Sequence, residues 1–503
     1  MEMYRSNGVA SSLCIRLDSS ARASLQEQIY GGIRDAILNG VIAPATRLPS
    51  SRTLASDLGI SRTTVVLAFD RLLAEGYLSP RRGSGTFVAS ELPGDLPAAP
   101  LSSYRGTHYR GQLNHPPLSR RGAVLASTSP AGWRLGGPPR AFRMGTPALD
   151  LFPVRLWAQL VNRRLRSVTL GQLDYGDPAG LQPLRNAIAA HVQATRGTTC
   201  EARQIVIVAG AQRGLEMICR MLLDVGETAW FEEPGYPGAQ SALVTAGAHI
   251  VPVRVDEQGL DVQAGMSRAV NARLSYVTPS HQFPLGVPMS LARRLALLRW
   301  ASRAQAWVLE DDYDSAFRYG THPIPCLHGL DVDGRVIYIG SFSKTLFPSL
   351  RLGFLIAPPD LREPLLAIQR SAPALAPVLD QTVVAEFIAE GHYDRHLRRM
   401  RSAYRERLDA LIDAAERTCN GALSLRPVRT GLHAVADLED ADAETVCREA
   451  LARGVEATPL SAYYSEPVNA PNGLVLGFGT LRADDMVPGM ERLAAAIEAA
   501  RQR

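Results

Sequence analysis

The sequence predicts a multi-domain chain: a small winged helix-turn-helix, mostly α with a β-wing, followed by a much larger α/β unit. Three observations predict it. Residues 24–89 carry apolar side chains at helical spacing and end in a short basic hairpin. From about Phe142 onward, short apolar runs alternate with amphipathic stretches. Between the two, residues 90–140 are rich in Pro, Gly and Ser. The expected division is 20–90 for the reader, 91–140 for a flexible linker and 141–503 for the α/β unit. A length of 503 residues suits two to four domains at roughly 150 residues each.

The first helix is read from Leu25, Ile29, Ile33 and Ile37, with Gly40 as its stop. A short second helix passes through Leu54, Ala55 and Leu58. Gly59 supplies a left-handed C-cap and Ser61 the next N-cap. The third helix runs from about Arg62 to Glu75, with Val65, Ala68, Phe69, Leu72 and Leu73 facing inward, and Gly76 ends it. Tyr77-Leu78-Ser79 and Thr86-Phe87-Val88 form two strands around Arg81-Arg82-Gly83-Ser84-Gly85. In this geometry the third helix enters a DNA major groove by its N-terminal residues Ser61, Arg62, Thr63 and Thr64. Arg62 can bond guanine through two N–H groups. Arg52 can hold a phosphate, and Gly83 and Gly85 let the wing backbone approach DNA closely. A protein-interaction module is the alternative for such a unit.

The linker shows no sustained helical or strand period through LPGDLPAAPLSS, NHPPLS, STSPAG and LGGPPR. Beyond it, Ile205–Val208, Ala229–Phe231, Ile250–Val253, Leu274–Val277, Ala306–Leu309, Val336–Ile339 and Gly353–Ile356 read as buried strands. Helical stretches such as 212–224 and 290–304 separate several of them, which implies a mainly parallel sheet covered on both faces. Residues 380–503 read as α+β, with helices at 380–418 and 484–502 and strands near 432–438 and 474–478.

Composition narrows the chemistry. The six cysteines are scattered, with no CxxC or Cys/His cluster, which argues against a zinc site or a disulfide framework and suits a reducing cytosol. No metal is expected. No apolar run approaches the roughly 18 residues of a membrane span, and the first residues lack the apolar core of a signal peptide. Net charge is +5, and the positive excess lies in the first 140 residues, where a polyanion partner is expected. Of the 54 basic side chains, 53 are Arg and one is Lys, at position 344. Arginine stays protonated and cannot attack a carbonyl, so the lone lysine is a candidate for amine chemistry.

Lys344 sits in Gly340-Ser341-Phe342-Ser343-Lys344-Thr345, just after a strand, with Arg351 seven residues on. Hydroxyls and a guanidinium beside one lysine suit a phosphorylated aldehyde: the lysine forms an internal aldimine while Ser341, Ser343 and Arg351 hold phosphate. Such a cofactor needs an acid at its ring nitrogen. Glu310-Asp311-Asp312-Tyr313 follows the strand Ala306–Leu309, at the carboxyl edge where open α/β sheets bind ligands. Val208-Ala209-Gly210-Ala211-Gln212 leaves another strand and opens a helix, whose free N–H groups suit an anion. Glu232-Glu233-Pro234-Gly235-Tyr236 brings an aromatic ring to the same edge.

Two resemblances rest on these residues. Residues 48–88, LPSSRTLASDLGISRTTVVLAFDRLLAEGYLSPRRGSGTFV, resemble the DNA-binding domain of GntR-family bacterial regulators. The resemblance implies that Arg52, Arg62, Thr63, Thr64 and Gly85 contact operator DNA. Residues from about 142 to 500 resemble fold type I aminotransferases, which depend on pyridoxal 5'-phosphate. That resemblance implies Lys344 at the aldimine, Asp311 at the pyridine nitrogen, Tyr313 at the ring hydroxyl and Tyr236 stacked on the ring. It puts Gly210, Ala211, Gln212, Ser341, Ser343 and Arg351 around the phosphate. Tyr175, in LDYGDPAG, then serves the neighbouring subunit of a homodimer. The order of parts resembles the MocR/GabR subfamily of GntR-family transcriptional regulators.

Two departures stand out. The usual Asn-Pro-x-Gly reads Phe283-Pro284-Leu285-Gly286, so the asparagine that bonds the ring hydroxyl is missing. GLVLGFG, at 473–479, lacks the arginine that would bind a substrate carboxylate, and none follows Tyr236 by two residues. Arg429 and Arg482 are the remaining candidates. The resulting expectation is a cytoplasmic regulator that senses an amino compound by external aldimine formation. An active aminotransferase with a fused DNA-binding domain, and a regulator of pyridoxal phosphate itself, stay open as alternatives.

Overall fold

The computed structural model describes residues 17–18, 23–81, 85–90, 92, 117–127, 140–319, 325–371 and 376–502. Arg82, Gly83, Ser84 and most of the stretch read as linker lie outside the described residues. The chain divides into two compact units, Met1–Pro116 and Pro117–Arg503.

In the first unit, α1 (Leu25–Leu38) starts at Ser24, whose hydroxyl accepts from Glu27 N–H while the Glu27 carboxylate accepts from Ser24 N–H. α2 (Ser51–Leu58) is capped by Ser50 and closed by Gly59 at φ 65°, a left-handed conformation. α3 (Arg62–Ala74) starts at Ser61. β1 (Leu78–Arg81) and β2 (Gly85–Val88) pair antiparallel, Arg81 opposite Gly85. Ile29, Ile33 and Ile37 of α1 meet Leu54 of α2 and Val65, Ala68, Phe69 and Leu72 of α3, and Leu78 and Val88 close the core. Leu25 departs from the expected inward period: it is exposed, because it occupies the first helical turn beyond the core. The end of α3 is tied back to α1. Tyr30 donates to Glu75, and the Arg71 guanidinium lies 2.9 Å from Glu75 and 3.9 Å over the Tyr30 ring.

The second unit contains an eight-stranded sheet. Its strands are β3 (Ile205–Val208), β4 (Thr228–Glu233), β5 (His249–Asp256), β6 (Gly259–Leu260), β7 (Leu274–Val277), β8 (Trp307–Asp312), β9 (Val336–Ser341) and β10 (Gly353–Ile356), in the spatial order β3-β10-β9-β8-β7-β4-β5-β6. The strands from β9 to β5 run parallel, whereas β10 runs against both β3 and β9, and β6 against β5. Both faces are covered, as side-chain alternation shows. Ile205 and Ile207 face one core with Leu184, Ile188 and Phe387, while Val206 and Val208 face another with Leu215, Ile218 and Leu243.

The C-terminal part builds a smaller antiparallel sheet from β11 (Leu423–Leu425), β12 (His433–Leu438), β13 (Thr458–Pro459) and β14 (Gly473–Gly477). Two local expectations are corrected. The stretch 380–418 is not one helix: Val378–Ala389 and His392–Thr418 are separated at Gly391, whose φ of 70° breaks the helical path. Part of the expected linker, Arg120–Ser127, is helical and packs on the helix Pro237–Ala246.

Candidate cofactor site and nucleic-acid interface

The reader surface follows from capping. Ser61 accepts from Thr63 N–H at 3.3 Å, which starts α3 with Arg62 and Thr63 exposed and Thr64 half-buried behind them. Ser50 accepts from Thr53 N–H at 3.1 Å, which leaves Arg52 exposed on the first turn of α2. Gly85 has φ 106°, and a Cβ there would lie 3.1 Å from Arg47 Nε. Arg47 therefore lies against the wing, and Arg81 stacks 4.6 Å over Phe87. Sequence reasoning missed Arg47, which sits before the helix-turn-helix pattern and is brought to the wing by its bridge to Phe87.

In the α/β unit, strand register brings distant segments to one edge. Gly353 lies opposite Val208 on one side and Ser341 on the other, so the turns after β3 and β9 meet. Only glycine fits there, because a Cβ on Gly353 would lie 2.9 Å from Ala211 N and 3.0 Å from Gly340 O. Gly210, at φ 91°, caps the helix Ala211–Leu222 and leaves its first N–H groups pointing out of the sheet edge. Ser341 Oγ accepts from Ser343 N–H at 3.1 Å, which shapes the turn that carries Lys344. Arg351 stands at φ 49° and is exposed, with its positive charge near enough to act on the Tyr236 phenol. Gln212 donates to Gly238 O at 2.8 Å, and Gly238 packs under the Tyr236 ring, where a Cβ would collide with it.

Lys344 Nζ donates to Gly145 O at 2.5 Å. Burial lowers its pKa, opposed by the charges of Asp314 and Asp311. Asp311 is buried; Tyr276 donates to its Oδ2 at 2.8 Å, while its Oδ1 has no partner. Burial pushes the Asp311 carboxyl up to about 7. Its neighbour Asp312 behaves oppositely. Burial would raise it too, but Arg196 at 2.8 Å and Tyr338 at 2.5 Å hold it below the usual carboxylate range. Asp311 thus keeps one buried oxygen with no hydrogen-bond partner, with the Lys344 charge acting on it only from a distance, which is how a ligand's N–H would be received.

Phe283 stands edge-on in a ring cluster, 5.6 Å from Tyr236, 5.9 Å from Tyr313 and 5.2 Å from Tyr463. Arg429 and Arg482 are both exposed, and Arg426 is paired with Asp437 at 2.6 Å. Tyr175 is 93% exposed. Tyr276, Gly145, His281 and Asp314 were missed by sequence reasoning. Tyr276 could have been found from the strand alternation of β7, since it shares a face with Leu274 beside Asp311's strand.

Residues 25–88 match the bacterial regulatory proteins, gntR family, and residues 146–472 match aminotransferase class I and II. The chain is 39% identical over 485 residues to the probable rhizopine catabolism regulatory protein MocR of Rhizobium meliloti, covering 96% of this chain and 95% of that protein. This chain belongs to the MocR-type regulators. MocR-type chains join a GntR DNA-binding domain to an aminotransferase-like domain, and this one does so in that order. It is also 32% identical over 474 residues to the pyridoxine biosynthesis transcriptional regulator PdxR of Corynebacterium glutamicum, covering 94% of this chain and 96% of PdxR. An archaeal alanine:glyoxylate aminotransferase structure superposes with a TM-score of 0.68 at 25% identity, covering 76% of this chain and 96% of the other. The MocR-type aminotransferase fold implies dependence on pyridoxal phosphate. Among the described residues no helix is long and apolar enough to cross a membrane.

Proposed function

We propose that this MocR-type regulator binds pyridoxal 5'-phosphate at Lys344 and changes its hold on operator DNA when an amino compound reaches that site. The observation that carries the reading is the buried, unpartnered Oδ1 of Asp311 in the same domain as the chain's one lysine. A pyridinium N–H is the donor that oxygen lacks. When bound, the cofactor supplies an electrophilic carbon that exchanges one amine for another. The protein's own groups do the rest. Asp311 would hold the proton of the ring nitrogen, Tyr236 would stack on the ring, and Gly210, Ala211, Gln212, Ser341, Ser343 and Arg351 would receive the phosphate. Tyr313 serves the ring hydroxyl. Burial lowers the proton affinity of Lys344, which favours the neutral, nucleophilic amine. Release of the Lys344 side chain by an effector amine would shift the balance between two arrangements of the regulator.

We also infer a homodimer. Val168, Leu170, Leu173 and Tyr175 are exposed within one short stretch, and a second copy that covers them would receive Tyr175 at its phosphate. A chain that reads an operator works in the cytoplasm. Arg52, Arg62, Thr63, Thr64 and Gly85, with Ser61 as the cap, form the proposed DNA contact. The test is a screen of amines against the loaded protein, following its visible absorption and its operator affinity together. An effector should move both, and neither should respond in Lys344→Arg. Operator affinity that responds to an amine in Lys344→Arg would contradict sensing at Lys344.

A further inference from the structure

The second unit buries another set of titratable groups that the reading above leaves unused: His281, Asp314 and His433. Both carboxylate oxygens of Asp314 lie 2.9 Å from His281 Nδ1. Tyr313 Oη lies 3.0 Å from the same Nδ1 and 3.0 Å from the His281 carbonyl oxygen. A carboxylate only accepts, so Nδ1 carries the proton and is shared between Asp314 and the phenol oxygen. The phenol then gives its own proton to the carbonyl, or to a ligand that takes the carbonyl's place.

The imidazole has little freedom to turn. Gly286 and Gly431, at φ 75° and 82°, face it; a Cβ on Gly286 would lie 3.1 Å from Nε2, and one on Gly431 would collide with the ring. His433 is tilted against it at 4.8 Å and donates through Nε2 to Pro284 O at 3.0 Å. The three residues hold ligand-type atoms within 4.8 Å of one another. His281 Nδ1 and His433 Nε2 each serve as a donor here, so as arranged the cluster works as a hydrogen-bond relay.

We propose that Asp314 and His281 are positioning residues for Tyr313: Asp314 orients His281, whose Nδ1–H holds the phenol oxygen and makes the phenol a stronger donor to the cofactor's ring hydroxyl. The inference rests on the cofactor reading above. It gives a role to the position where Phe283 offers no hydrogen bond, because the polar support comes from behind Tyr313 instead. The groups that face the phenol are Asp311, Asp312, Asp314, Glu232 and His281, with His433 next to His281 and Lys344 beside Asp314 and Asp311.

The experiment is a pH titration of the visible band of the loaded, full-length protein. His281→Gln and Asp314→Asn should each move its midpoint by about one pH unit and weaken cofactor retention by about tenfold. In a Tyr313→Phe background the same two changes should have almost no further effect, because the relay ends at the missing hydroxyl. Full-sized shifts in that background, or no shift in either single variant, would overturn the relay. A wild-type protein without a visible band would overturn the cofactor reading, and this role with it. The wild type also offers a check free of variants: nitrogen NMR of the histidines should find His281 protonated at Nδ1 and not at Nε2 alone, and the reverse would overturn the proposal.

Discussion

At the scale of single residues, Asp311 makes the sharpest statement. Its folded pKa, about 7, stands above the value near 4 expected in an unfolded chain. Between those two values the folded state holds more protons than the unfolded state. The contribution of Asp311 to stability is therefore most favourable below about pH 4 and declines as the pH rises toward about 7. In the empty protein, Asp311→Asn should remove that decline. The variant's advantage over wild type should grow by about 2 kcal/mol between pH 5 and pH 8, read as a widening gap in melting temperature. Glu310 is pushed up to about 7 as well, but it is the same in both proteins and cancels; Glu232, also pushed up to about 7, is raised in part by the Asp311 charge and is relieved of that part in the variant. A constant gap would show that Asp311 is ionised throughout. Loading should reverse the order: Asp311→Asn should retain pyridoxal phosphate about 10- to 100-fold less tightly, the cost of one charge-assisted hydrogen bond, as measured by equilibrium dialysis.

The element scale is where the sequence was most and least legible. Gly59 and Ser61 were readable because caps are local chemistry: a glycine at φ 65°, and a hydroxyl that accepts an N–H. The strand ends that carry Gly210, Ser341 and Asp311 were readable because buried strands are short apolar runs. That they meet was not readable. It depends on β10 running antiparallel between β3 and β9, so that Gly353 faces Val208 and Ser341 together. Asp314 and His281 were hidden for the same reason, since they lie 33 positions apart and touch only across the sheet edge. Gly391 could have been read as a break, yet the apolar period on either side masked it. In the reader, Arg62→Ala should cost about 1–3 kcal/mol and relax selectivity at one base. Arg52→Ala should weaken binding to all sequences alike and reduce the salt slope by about one. Salt titrations on operator and random DNA separate the two. Equal losses on both DNAs for Arg62→Ala would make Arg62 a phosphate contact.

At the scale of the whole molecule, the chain joins a GntR DNA-binding domain to an aminotransferase-like domain that lacks an arginine in GLVLGFG, where a substrate carboxylate would be bound. Turnover of ordinary α-amino acids should therefore fall below about 1 s⁻¹, under the usual range for enzymes, in a coupled assay with 2-oxoglutarate. Faster turnover would favour the active aminotransferase. Leu170→Asp and Leu173→Asp, which put charge on the exposed apolar stretch beside Tyr175, should lower the mass in solution to that of one chain and weaken the hold on a two-site operator far more than on a single site. Borohydride reduction of the loaded protein followed by peptide mapping shows whether Lys344 carries the cofactor. One pyridoxyl adduct is expected, on Lys344, and none in Lys344→Arg. An adduct at another position, or none in a protein that has taken up the cofactor, would contradict it.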